Sequence, residues 1–444
     1  MVRVLGAGRN ISSVLAAATA FGMVAGAGIP AAHATTWYVS ALSGKDTNTG
    51  KSTTAPFKTI GAITNSNHLV SGDTVIVMPG TYNETVSITT AGKASAYTTL
   101  MAQPGAARPV LIGAPTQPNS GAAYGTISIF APYVRVTGFD VSWQGADGDA
   151  IQSYGPKVKN SNGVLRPTVH HLDIENNIAH DAGCGGIDLV FADYVTVKGN
   201  VTYNNGHTAP NQCSGISLYE LTDFDNGSGF RNVISGNLSY NNMDLVPVAG
   251  TKYTTDGNGI IIDDNEHTQS DHVAYQGATL VYGNVVTGNG GVGITCFASK
   301  YVTVANNTAY QNQRSTTIQG AIGEFSSANG GSNTFVNNIA DTAAATLPAF
   351  VDGGSTGDSW DYNLTVGGGY VTANAVKLAM GTHNLPGVNP DFVAASLIPA
   401  TANFELSTIS PALHAGLALN EGVADFGGAV MSAGARPNLG AYTR

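Results

Sequence analysis

The chain has 444 residues, of which only 11% are charged, with a net charge of −10, 56 glycines and three cysteines. The acidic balance disfavours nucleic acid, which wants a basic face, but not an anionic glycan, because a bound cation reverses the local sign. Glycine, asparagine and β-branched residues at this level, without a long amphipathic helical stretch, point to one body of many short strands and tight turns.

Residues 1–34 read as an export signal. Arg3 and Arg9 precede an apolar, small-residue run from Ser13 to Ile29, and Ala32-His-Ala34 has the form of a cleavage site. The expectation is a chain cleaved after Ala34, secreted or periplasmic, with no later membrane span. The mature chain opens with a strand at Trp37-Tyr-Val-Ser40. A polar stretch from Gly44 to Thr54 and a short helical run ending about Val70 follow, then a strand at Ser71–Met78 and a turn at Pro79–Tyr82. We assign 35–132 to an N-terminal cap and first coils, 133–345 to central coils, and 346–444 to last coils and a C-terminal cap.

From about Tyr133 the chain repeats. Asn177, Asn200, Asn237, Asn284, Asn307 and Asn338 each follow a β-branched or apolar strand, and Asn205, Asn242, Asn289 and Asn312 lie five residues after four of them. The shortest spacing, 23 residues, suits three short strands and three turns per coil. Stacked asparagines hydrogen-bond along such a column. The leucine-rich and Trp-Asp repeat signatures are missing. These features predict an all-β fold, a single-stranded right-handed parallel β-helix (solenoid) with an N-terminal helical cap and a C-terminal capping segment. A capped end hides unpaired strand edges and apolar core. The stretches Trp37–Tyr82, Asn389-Pro-Asp-Phe392 and Arg436–Tyr442 resemble secreted bacterial β-helix proteins of the pectate-lyase-like superfamily. The resemblance covers nearly all of 37–442, rests mainly on scaffold, and implies a lyase or glycoside hydrolase acting on a polysaccharide.

One strand of each coil aligns by its glycine or alanine and isoleucine: Ala150–Tyr154, Gly186–Val190, Gly215–Tyr219, Gly259–Asp263, Gly293–Phe297 and Ala321–Phe325. Alternation places Leu189, Leu218, Ile262 and Cys296 inside, and Asp188, Tyr219, Asp263 and Phe297 outside on successive rungs about 4.8 Å apart. Acids flanked by aromatic rings suit a sugar-binding groove. Glu324 falls inward in this register, and a one-residue slip is expected to turn it to the groove. Glu220 and Asp264 follow their strands closely enough to reach the same groove. Long insertions supply Lys252, His267, Asp271 and His272, and Arg314 precedes Glu324. Cys184 and Cys213 each lie three residues before an aligned isoleucine, so one column holds both and a disulfide is predicted. Cys296 is expected as a buried thiol.

Two chemistries compete, with β-elimination by a pectate-lyase-like lyase the first expectation and hydrolysis the alternative. In β-elimination from a uronate-containing glycan, Asp188, Asp263 and Asp264 hold calcium and Lys252 or Arg314 removes the proton. In hydrolysis, Asp263 and Asp264 act with Glu324 or Asp188. Tyr219, Glu220, His267 and Phe297, with Asp188, bind substrate in either case. Lysine-base pectate lyases carry a lysine on this strand and an Asp-Asp-Gly-Trp run. Here no aligned strand offers the lysine, and Asn265 follows Asp263-Asp264. Minor readings are a uronate epimerase and a non-catalytic glycan-binding protein. A monomer with no organic cofactor is expected.

Overall fold

The computed structural model describes residues 34–444 apart from 114–124, 160–162, 164, 271–272, 320–321, 368, 373–379, 420–421 and 433. The expected export signal, up to residue 33, and the loop residues Asp271 and His272 lie outside the described residues. One coil shows the plan. Leu172–Glu175 runs in a first sheet, Ile178–His180 in a second and Ile187–Val190 in a third. Each strand pairs in parallel with its counterparts one coil away. Among the described residues the three sheets have 11, 11 and 10 strands, and the chain is a right-handed parallel β-helix. No described helix is long and apolar enough to cross a membrane.

The interior follows from alternation. Ile151, Ile187, Ile216, Ile260, Ile294, Phe325 and Phe350 share one register position in the third sheet. All seven are fully buried, and each such burial stabilises the fold by about 1.5–3 kcal/mol.

The repeated asparagines hold the corner between the first and second sheets. The Asn237 Oδ1 accepts from the backbone N–H and Nδ2 of Asn200 (2.9 and 3.1 Å). Its own Nδ2 donates to the Val197 carbonyl and to Asn284 Oδ1, both at 2.9 Å. The ladder runs on through Asn307, Asn338 and Asn363. The residue before each of Asn177 to Asn338 is Gly or Asn at φ between +54 and +63°, the left-handed conformation those two types adopt most easily.

A second ladder, Asn205–Asn242–Asn289–Asn312, holds the corner between the second and third sheets. Gly186, Gly215, Gly259 and Gly293 lie against it, and a Cβ at any of them would come within 2.5–2.9 Å of an asparagine Nδ2. Glu324 occupies this glycine position one coil later, because Phe325 pairs with Ile294. Its carboxylate accepts from Asn312 Nδ2 (2.6 Å), the Asn312 N–H (3.1 Å) and Gln313 Nε2 (3.3 Å). The expected slip towards the groove therefore does not occur. The strand here is Phe325–Ala328, three residues later than the sequence alignment placed it. The larger Phe325 takes the inward position and stacks on Phe350 at 5.1 Å. Glu324 stays inward and terminates the ladder.

The N-terminal helix is shorter than expected, Gly61–Thr64, with the Ile60 and Gly61 N–H groups held by Glu84 (both 2.9 Å). The closing segment packs on the flank of the coils: Phe404 meets Tyr310 at 5.2 Å, and Asn306 Nδ2 donates to the Asn438 carbonyl at 2.9 Å.

Candidate functional site

The outer face of the third sheet carries a groove of about 1290 Å³. Two outward columns form its floor. Gln152, Asp188, Ser217, Ile261, Thr295 and Ser326 stack in one, and Val190, Tyr219, Asp263, Phe297 and Ala328 in the other. Asp263 thus has an aromatic ring on the rung before it and another on the rung after. Asp147 and Asp256, from the turns entering the sheet, and Asp149, at the start of its strand, line one side, and residues leaving the sheet bring Tyr154, Phe191 and Gln269 to the other.

The carboxylates raise one another's pKa. Burial and the charges of Asp256, Asp264, Asp188 and Glu220 push Asp263 well above the usual carboxylate range. Burial raises Asp256 to about 6, against hydrogen bonds from Asn258 and Thr255 that pull it down. Asp188 rises to about 6 by burial, opposed by the Ser217 hydroxyl. Its Oδ1 is buried without a hydrogen-bond partner among the described residues. Burial and the Asp188 charge hold Asp149 well up, although the Gly185 N–H donates to its Oδ1 at 2.7 Å. Such a set carries protons at neutral pH that isolated aspartates would have lost.

Of the ten residues read from sequence as catalytic or substrate-binding, the groove gathers four: Asp188, Tyr219, Asp263 and Phe297. Glu324 is in the interior, as described. Asp264 is buried at φ +45°. Its carboxylate accepts from the Thr268 N–H (2.8 Å), the Thr268 hydroxyl (2.7 Å) and the Gln269 N–H (2.8 Å), which fixes the turn after the strand. Glu220 and His267 are likewise buried. Ser270 donates to Glu220 Oε2 at 2.6 Å, and His267 Nε2 meets the Leu221 carbonyl at 2.7 Å. Lys252 is exposed beside the Tyr253 ring (5.5 Å) and does not line the groove. Arg314 lines a different cavity, on the second sheet. Both sit on insertions whose direction strand alternation does not specify.

Asp149 and Phe191 carry no sequence signal that was used, and Asp256, the first of five ionisable groups crowded into residues 256–267, was given no role. Asp149 lies two residues and Asp256 four residues before an aligned isoleucine, so continuing the alignment upstream finds both. Lys157 also went unread. It sits over the Phe191 ring at 4.3 Å with its Nζ 3.6 Å from Glu220 Oε2, which ties the hairpin of Lys157–Lys159 and Leu165–Pro167 to the groove wall. Cys184 and Cys213 are joined, with Cα atoms 5.2 Å apart, and Cys296 is a buried free thiol.

The expected calcium set of Asp188, Asp263 and Asp264 does not fit a cation as placed. Asp264 uses both oxygens in its own turn, and among the described residues no three acidic, histidine or cysteine side chains converge at ligating distance. Calcium takes six to eight oxygens.

No protein-family model matches the chain, and no curated protein matches it. Among solved structures, the chain is similar to pectate lyase Pel9A, at 18% identity and a TM-score of 0.51 over 92% of this chain and 96% of that one. It is also similar to a rhamnogalacturonan lyase, at 15% identity and a TM-score of 0.51 over 84% of this chain and 97% of that one. At these identities the likeness is one of fold, the parallel β-helix, over most of the chain.

Proposed function

We propose that the protein is an exported enzyme that cleaves a polysaccharide in the third-sheet groove, by hydrolysis with paired aspartates. The observation that carries this reading is the lining itself. Five aspartates and four aromatic rings line the groove, with no Lys, Arg or His among the described lining residues. Asp263, held protonated, donates to the departing glycosidic oxygen. Asp256, raised only to about 6 and so largely ionised at neutral pH, supplies the carboxylate at the anomeric centre. Tyr219 and Phe297 stack on sugars either side of the bond. Asp188 and Asp149 accept hydrogen bonds from sugar hydroxyls.

The β-elimination reading requires a positive charge against the uronate carboxylate and a base at the α-proton. The cations assigned to that task, Lys252 and Arg314, lie outside the groove. The test is a screen of neutral glucans and xylans beside pectate and alginate, recording both reducing ends and the ultraviolet absorbance of an unsaturated uronate. Hydrolysis gives reducing ends without that absorbance. Asp263→Asn and Asp256→Asn each reduce turnover by roughly 10²–10⁴. Unsaturated product, or full turnover by both variants, overturns the assignment.

A further inference from the structure

Outside the groove, the second sheet carries an aromatic column on its outer face. His180, Tyr203, Tyr240, Thr287 and Tyr310 occupy one register position on successive coils. The rings of His180 and Tyr203 stack at 4.8 Å, and those of Tyr203 and Tyr240 at 4.9 Å, nearly parallel in both cases. Thr287 breaks the column. At the break lies a cavity of about 470 Å³, lined by Tyr240, Asn241, Met243, Thr287, Arg314 and Leu397, with Gly288 between. The cap residue Leu397 closes one side: a Cβ on Gly288 would meet its Cδ2 at 3.2 Å.

Two polar groups in this cavity are without partners among the described residues. Thr287 is 2% exposed and its hydroxyl makes no hydrogen bond. Arg314 is exposed, and its guanidinium forms no ion pair among the described residues. A buried hydroxyl left unmade is costly. A guanidinium in a cavity that an aromatic ring also lines is suited to a planar carboxylate carried on a sugar ring.

We infer that this cavity is a second glycan-binding site, distinct from the groove, that takes a uronic-acid residue. Arg314 pairs with the sugar carboxylate, Tyr240 offers its ring to the pyranose in the slot Thr287 leaves open, and the Thr287 hydroxyl bonds a sugar hydroxyl. The inference does not depend on the chemistry of the groove. Its role is to hold an acidic residue of the polymer, or of a neighbouring strand, against the flank of the enzyme.

The test is titration of the full chain with glucuronate, glucose and acetate, followed by calorimetry or by NMR of the sugar. It is run on the wild type and on the double variant Tyr219→Ala/Phe297→Ala, which removes the rings that stack on sugar in the groove. Glucuronate binds both proteins, and glucose and acetate bind at least tenfold more weakly. Arg314→Gln and Tyr240→Ala each weaken glucuronate by about tenfold or more, while unfolding temperatures confirm that the variants fold. Absence of glucuronate binding to the wild type, equal binding of acetate, or unchanged affinity in Arg314→Gln overturns the site. Loss of binding in Tyr219→Ala/Phe297→Ala alone also overturns it, by moving the sugar to the groove.

Discussion

Replacing Glu324 by Gln changes how stability depends on pH. The folded chain raises Glu324 from 4.5 to about 8, because burial outweighs the donors Asn312 and Gln313. In the unfolded chain it titrates at its ordinary value. Between these two values the folded state holds a proton that the unfolded state has released, so stability falls as pH rises from about 4.5 to 8 and levels off above. At about 1.4 kcal/mol per pH unit, the interval of roughly 3.5 units sets an upper magnitude of about 5 kcal/mol. A folded body of about 400 residues loses entropy of roughly 2.1 cal/mol/K per residue on folding, so this corresponds to about 5–6 °C of unfolding temperature. Glutamine keeps the acceptor for Asn312 and cannot ionise. Glu324→Gln therefore unfolds close to wild type at pH 5 and progressively above it towards pH 8.5, measured by differential scanning calorimetry. Other raised acids contribute a slope common to both proteins, and the difference between the curves isolates position 324. Parallel curves across that range would refute the account of Glu324 as a buried, protonated end of the ladder.

Other outcomes follow from the same geometry. Asp188→Asn removes one of the charges that raise Asp263, so the alkaline limb of the pH–activity profile, where Asp263 loses its proton, moves to lower pH; an unmoved limb detaches Asp263 from the acid role. Asn237→Ala strips the acceptor from two Asn200 donors and the donor from the Val197 carbonyl, and denaturant unfolding should show a loss of about 2–5 kcal/mol. Reducing the Cys184–Cys213 bond, or replacing both residues by Ser, opens a loop of sequence separation 29. Chain-entropy arguments put the resulting loss at about 3–4 kcal/mol, readable as a lower unfolding midpoint with Cys296 unaffected.

The sequence by itself determined the coil. Strand alternation and the recurrence of the ladder asparagines are set within one coil or between neighbours, so spacing alone exposes them. The same locality made the Cys184–Cys213 pairing legible and placed Asp188, Tyr219, Asp263 and Phe297 on one outer face. Tertiary structure decided what happens where the chain leaves its strands. Left-handed turns at Asp264 and His267 (φ +45 and +52°) bury those side chains one and four residues after Asp263 emerges from the sheet, and nothing in a run of polar residues distinguishes the two fates. The size of Phe325 and its stacking on Phe350 fixed the rung that buries Glu324. Coil stacking brought Asp149 and Asp256 to the groove, while insertions carried Lys252 and Arg314 away from it. Orientation after a turn depends on dihedrals and packing partners many residues distant, whereas orientation along a strand depends only on parity.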